Sequence, residues 1–157
     1  GGPTEESRTD RVRPQYCRHH PGAARAYLIV PDASVLVDVL RRSDGWEVLA
    51  ARLFRDGETL HVPHVLDLEI AQALRGSVRR RETGPARAAE ALTDLGDFPL
   101  YRYPHAHLMD RIWEIRDSLT AYDASYVALA EALDATLVTR DARLAGAGGH
   151  RARVELV

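Results

Sequence analysis

The sequence predicts an α/β protein built on a central parallel sheet. Three observations carry that prediction. The apolar run Tyr27-Leu28-Ile29-Val30, with two β-branched residues, is followed at once by a helical stretch from Ser34 to about Leu40. Strand-like runs and helix-period stretches then alternate, as repeated βαβ units require. A later run, Thr136-Leu137-Val138-Thr139, ends before Asp141 much as the first ends at Asp32.

The elements follow in order. After the first strand and helix, Asp44-Gly45 turns the chain. Trp46, Leu49, Ala50, Leu53 and Phe54 recur at helical spacing until Gly57. Leu60-His61-Val62-Pro63 is the second strand. Val65 to about Arg81 is a long helix with Leu66, Ile70, Ala73 and Leu74 as its core stripe, Glu69 at the edge of that stripe, and Gly76 giving room for close approach. Pro85 opens another helix, running to about Leu95, and Gly96 stops it. Phe98 to Tyr103 is a third strand weakened by Pro99. Pro104 opens a helix through Leu119, and the next helix runs from the Thr120 region to about Asp134. On that helix Val127, Ala130 and Asp134 share a face with Asp123, so Asp123 points toward the packed side. Gly146 to Gly149 form a loop and Val154 to Val157 the last strand.

Composition narrows the function. A chain of 157 residues suggests one domain, and 45% hydrophobic with 28% charged residues is ordinary for a globular protein. No apolar stretch is long enough to span a membrane, and the amino end lacks the apolar core of a signal peptide, so a cytoplasmic location is expected. The single cysteine, Cys17, can form neither an intramolecular disulfide nor a cysteine-based zinc site by itself. The net charge of −2 excludes an overall basic field. All 21 basic residues are arginine, which rules out lysine-amine chemistry and suits phosphate contacts; a codon bias explains the same count. Residues 1–26 are polar and aperiodic and read as a disordered extension or an expression remnant. Cys17, His19 and His20 lie together there, a weak metal-ligand set.

Four carboxylates stand where chemistry is expected. Asp32 and Asp141 follow the ends of the first and fourth strands, and ligands bind at such ends in open α/β sheets. Glu69 and Asp123 lie near the packed side of two helices. If strands one and four are neighbours, a switch point opens between them and all four acids can converge. Acids so close cannot all stay ionised without cations among them. Mg²⁺ or Mn²⁺ is the natural partner of an all-oxygen site and can activate water against a phosphodiester. Each residue also has a plainer role: Asp32 and Asp123 as helix caps, Asp141 in a turn, Glu69 paired with Arg75 or Arg79. Ser34 and Thr139, as neighbours of two of the acids, could cap or could hold a carboxylate or a metal-bound water.

The segments Asp32-Ala33-Ser34-Val35-Leu36-Val37, Leu68-Glu69-Ile70-Ala71-Gln72-Ala73-Leu74-Arg75, Leu119-Thr120-Ala121-Tyr122-Asp123-Ala124-Ser125-Tyr126 and Thr139-Arg140-Asp141 together resemble PIN-domain nucleases, and within them the VapC toxins of VapBC toxin–antitoxin pairs. The resemblance covers about Tyr27 to Val157. It implies a three-layer α/β/α sandwich, a Mg²⁺- or Mn²⁺-dependent endoribonuclease with Asp32, Glu69, Asp123 and Asp141 as acidic quartet and metal ligands, a homodimer, and inhibition by a VapB-type antitoxin. Arg116 resembles an arginine near the site in these toxins, placed to touch RNA phosphate or to pair with an acid. Trp46, Leu53 and Phe54 are candidates for an apolar groove that takes an antitoxin helix, or for the core. A PIN nuclease in RNA processing and a non-catalytic PIN RNA-binding module are the alternatives. A receiver-type phosphotransfer domain needs a lysine that is missing, and a dehalogenase-type one wants an aspartate at position 34.

The polar leader of residues 1–26 is expected to be dispensable. A chain beginning at Tyr27 should melt at the full chain's temperature and cut RNA at the same sites; a large fall in melting temperature would mean that the leader packs on the domain.

Overall fold

The computed structural model describes residues 27–157. The expectations for residues 1–26, including the Cys17, His19 and His20 set, lie outside the described residues. Five parallel strands, β1 (Tyr27–Pro31), β2 (Glu58–Pro63), β3 (Leu100–Tyr103), β4 (Thr136–Thr139) and β5 (Arg153–Leu156), form one sheet in the order β3-β2-β1-β4-β5. β1 lies between β2 and β4, pairing Ile29 with Leu60 on one side and with Thr136 on the other. The first and fourth strands are thus neighbours, as a switch point between Asp32 and Asp141 requires.

The helices are α1 (Ala33–Arg41), α2 (Trp46–Leu53), α3 (Val65–Arg79), α4 (Pro85–Asp97), α5 (Met109–Glu114), α6 (Ala121–Leu133) and α7 (Ala142–Ala145). α6 lies across β1, β2 and β4 with α5 packed beside it, while α1 gathers α2, α3 and α4. The result is the three-layer α/β/α sandwich. α6 is buried along nearly its whole length, from Ala124 to Ala130 and at Leu133. Its alanines and Ser125 let the backbone come close to the sheet, and an apolar surface all round marks a helix enclosed by its neighbours. Among the described residues no helix is long and apolar enough to cross a membrane.

This topology sends four acids toward one edge of the sheet. α1 and α3 leave directly from the ends of β1 and β2, so their first turns stand at the carboxyl edge. α6 enters β4 from the opposite end: Asp134 turns the chain in a left-handed conformation, φ 53°, and only Ala135 separates it from Thr136. The amino end of α6, with Asp123, therefore also lies at the carboxyl edge.

Several elements differ from the sequence reading. The long helix expected over 104–119 is a 3₁₀ turn, His105–His107, then α5, then a series of tight turns such as Ser118 N–H to Ile115 C=O at 3.1 Å. Its inward stripe, Leu108, Ile112 and Ile115, is buried as read, but after Glu114 i−3 and i−4 bonds mix and no regular i−4 ladder continues. Gly96 does not stop α4; the helix runs to Asp97 and Phe98 is extended, as the residue before Pro99 prefers. Pro99 precedes β3 and so removes no ladder bond. Gly76 is not a close-packing site, because a Cβ there would meet only the flexible Arg80 guanidinium, at 3.0 Å. β2 starts two residues early, at Glu58, β5 spans Arg153–Leu156, and the short α7 was not anticipated.

A buried histidine sits in the sheet. His61 on β2 is bonded through Nε2 to Thr59 Oγ1 and through Nδ1 to Tyr103 Oη, each at 2.8 Å, and its ring stacks on Tyr101, its partner in β3. Burial lowers its pKa to about 4 from 6.5. The folded state thus resists protonation that the unfolded chain accepts below 6.5. Stability from this residue is complete above pH 6.5 and is lost as pH falls toward 4. Urea unfolding of the wild type should show that loss, and the His61→Phe variant should lack that component of the slope.

Candidate active site

Asp32 ends β1 and caps α1 in one residue. Its Oδ1 accepts the Val35 N–H at 3.2 Å and the Ser34 hydroxyl at 2.5 Å. Its Oδ2 accepts the Thr139 hydroxyl from the end of β4, at 2.5 Å. Both hydroxyls are themselves anchored: Ser34 Oγ accepts the Arg140 N–H at 3.0 Å, and Thr139 Oγ1 accepts the Asp141 N–H at 2.9 Å. The cap reading holds: Asp32 is the N-cap of α1. Burial pushes the Asp32 carboxyl up; the hydrogen bonds from Ser34, Thr139 and Val35 oppose that push.

Glu69 stands in the second turn of α3, half-buried, and accepts the Tyr126 hydroxyl from α6 at 2.5 Å. Burial raises its pKa, the Tyr126 bond pulls it back, and the charges of Asp123 and Asp32 raise it further. Those two charges place Asp32, Glu69 and Asp123 within electrostatic reach of one another. Burial, and then Glu69, push the Tyr126 hydroxyl far up, so it is a permanent donor. Asp123, in the first turn of α6, accepts the Thr120 hydroxyl at 2.8 Å, and its N–H donates to the same oxygen at 3.2 Å. Thr120 thus caps α6 and holds the Asp123 carboxylate with the same hydroxyl. Three carboxylates are therefore held by hydroxyls. The nearby arginines are committed elsewhere, Arg140 to Asp38 and Arg143 to Asp141.

Asp141 stands apart from the other three. It caps α7, accepting the Arg143 and Leu144 N–H groups at 2.8 and 3.4 Å, and pairs with the Arg143 guanidinium at 3.3 Å. These contacts, the Arg143 N–H first, hold its carboxyl below the usual range. It is not among the charges felt by Glu69. Asp32 and Asp123 both lie close enough to Glu69 for their charges to act on it, while Asp141 is linked to Asp32 through Thr139. Arg116 touches none of them: its guanidinium lies over the Trp113 ring at 4.9 Å, donates to the Trp113 carbonyl at 2.8 Å, and faces Asp117 at 3.9 Å. Of the groove candidates, Leu53 belongs to the core at 1% exposure, Trp46 is half-buried, and Phe54 is exposed but edge-to-face with Phe98 at 5.3 Å.

Two contributors escaped the sequence reading. Thr120 is signalled by the Thr-x-x-Asp spacing of a capping box. Tyr126 is signalled only by lying three residues after Asp123 on one helix; its bond to Glu69 spans 57 positions and has no local mark.

The donor set is all oxygen, the chemistry of a hard divalent cation. Among the described residues no three ligand-type side chains close into a cage. The fit is to an ion that keeps several waters and takes one or two carboxylates, the habit of Mg²⁺.

Comparison with known proteins places the chain in a family. The PIN domain family pattern matches residues 29–149. Ribonuclease VapC9 of Mycobacterium tuberculosis is 45% identical over 130 residues, covering 83% of this chain and 98% of the relative. The solved structure of VapBC2 from Rickettsia felis, bound to a DNA fragment from its promoter, superposes with a TM-score of 0.59 at 14% identity, covering 82% of this chain and 98% of that one. That of Mycobacterium tuberculosis VapC20, a sarcin–ricin loop cleaving toxin, gives 0.58 at 18% identity, covering 76% and 96%. At such identities these two structures speak for the fold, whereas the family match and the closer relative decide the assignment. The chain belongs to the PIN-domain family and, within it, to the VapC ribonucleases.

Proposed function

We propose that this chain is a Mg²⁺- or Mn²⁺-dependent endoribonuclease, the toxin of a toxin–antitoxin pair, which cuts cellular RNA until a VapB-type antitoxin neutralises it. The observation that carries the reading is that Asp32, Glu69 and Asp123 stand at one edge of the sheet, each held by hydroxyls and none by an arginine. Such a cluster is costly unless something positive fills it. A bound Mg²⁺ or Mn²⁺ supplies a polarised water and the positive charge that phosphodiester cleavage needs.

The chain's own residues prepare for that. Ser34 and Thr139 fix both oxygens of Asp32, Thr120 fixes one oxygen of Asp123, and the opposite oxygens of Glu69 and Asp123 are left for a cation. Asp141 acts from the rim, where it sets the turn that presents the Arg140 and Asp141 N–H groups to the two hydroxyls. With a homodimer as the functional unit, two such clefts act in one particle. Arg116 is exposed and stacked on Trp113, a surface suited to RNA rather than to pairing with the site acids.

Cleavage should stop with EDTA. Asp32→Asn and Asp123→Asn should each lower cleavage by more than about 100-fold. Both should stay folded, because asparagine can still cap α1 at position 32 and Thr120 still caps α6 through the N–H of residue 123. Wild-type turnover in either variant would remove that residue from the site, and EDTA-resistant cleavage would remove the metal.

An acidic cleft also has a strong negative potential when no ion is held. An arginine from an antitoxin segment is expected to enter it in place of the ion. In a competition measurement with the operon neighbour, Mg²⁺ should compete with inhibition, and changing that arginine to alanine should weaken it. An operon without a small antitoxin gene, or a chain harmless when expressed alone, would favour RNA processing.

A further inference from the structure

We infer that Tyr126 is a positioning residue of the site, whose hydroxyl turns the Glu69 carboxylate so that one oxygen remains open to a divalent cation. The inference rests on the nuclease reading above and adds a residue to it. Tyr126 lies three positions after Asp123 on α6, so the two side chains leave the same side of the helix. Its ring is 2% exposed, and its hydroxyl donates to Glu69 Oε2 at 2.5 Å. The bond crosses from α6 to α3, and Tyr126 is the one donor to Glu69 among the described residues.

Packing alone does not call for a tyrosine here. Phenylalanine would fill the same volume, and a buried hydroxyl is a cost unless it is bonded. What the hydroxyl adds is direction. Glu69 is pushed by the charges of Asp123 and Asp32. A carboxylate in that field, with no donor, turns away from its neighbours. An arginine would hold it but would bring the charge that a metal ion is meant to bring. A phenol on a rigid two-torsion side chain holds it and brings none. It engages Oε2 and leaves Oε1 free, as the outer partners of metal ligands commonly do.

The test uses the full chain and three readouts: Mn²⁺ affinity by electron paramagnetic resonance, melting in EDTA, and RNA cleavage. Tyr126→Phe should melt as a folded protein in EDTA and bind Mn²⁺ about 10- to 100-fold more weakly, with cleavage falling in step. Tyr122→Phe, on the exposed side of the same helix, should change neither. In a Glu69→Gln background, Tyr126→Phe should add no further loss of Mn²⁺ affinity, because the hydroxyl acts through Glu69. Unchanged Mn²⁺ affinity in Tyr126→Phe, or a loss that adds in full to that of Glu69→Gln, would overturn the inference and leave the nuclease reading standing. A Tyr126→Phe chain that is unfolded in EDTA would make the hydroxyl a folding group and overturn it as well. A wild type that neither binds Mn²⁺ nor cuts RNA would take down both.

Discussion

The rest of the structure depends on one buried carboxylate shared between two strand ends. Asp32 closes β1, opens α1, and takes a hydroxyl from the end of β4. Those three jobs fix where the two strands finish relative to each other, and the ladder that pairs Pro31 with Val138 runs straight into the same point. A buried carboxylate is expensive to desolvate, and hydrogen bonds that satisfy both of its oxygens make it tolerable. Ser34 and Thr139 do that, and each is held in turn by a backbone N–H of the turn after β4. The site is therefore continuous with the sheet and not an addition to its edge.

The choice of neutral donors has an electrostatic logic. The chain has 21 arginines, and the described ones pair widely with surface acids: Arg52 with Glu58 and Glu155, Arg87 with Glu90 and Asp94, Arg102 with Asp67, Arg111 with Glu131. Asp32, Glu69 and Asp123 are kept out of this exchange. A guanidinium there would neutralise the cluster permanently, since arginine does not give up its proton. Hydroxyls orient the carboxylates and leave the charge available. Asp141, which does carry an arginine, is the acid that stands outside the cluster.

Much of this was readable in the sequence, and the reasons for the gaps are physical. The order of strands and helices followed from periodicity, because α1, α3 and the three inner strands each bury a regular apolar pattern. Asp32, Glu69 and Asp123 were legible because each stands at an element's start or edge, where local spacing reveals which way it points. The helix that Asp141 caps was not legible, because α7 is too brief to show a period. The 104–119 stretch has a helical stripe but not a helical backbone, because burying Leu108, Ile112 and Ile115 does not require one ladder to carry all three. Tyr126 could not be read as functional, since its partner is brought to it only by the packing of α3 against α6.

The turn after β4 looks like an ordinary surface connection, with Arg140 exposed and Asp141 half-exposed. Its two amides nevertheless end on the hydroxyls that satisfy Asp32. Opening that turn would remove the amides that hold those two hydroxyls in place, so it is tied to the buried anion and not free to fray as loops usually do. The amides of Arg140 and Asp141 are therefore expected to exchange their hydrogens more slowly than those of an ordinary surface loop. The edge of the cleft is in this way moored to the end of the sheet.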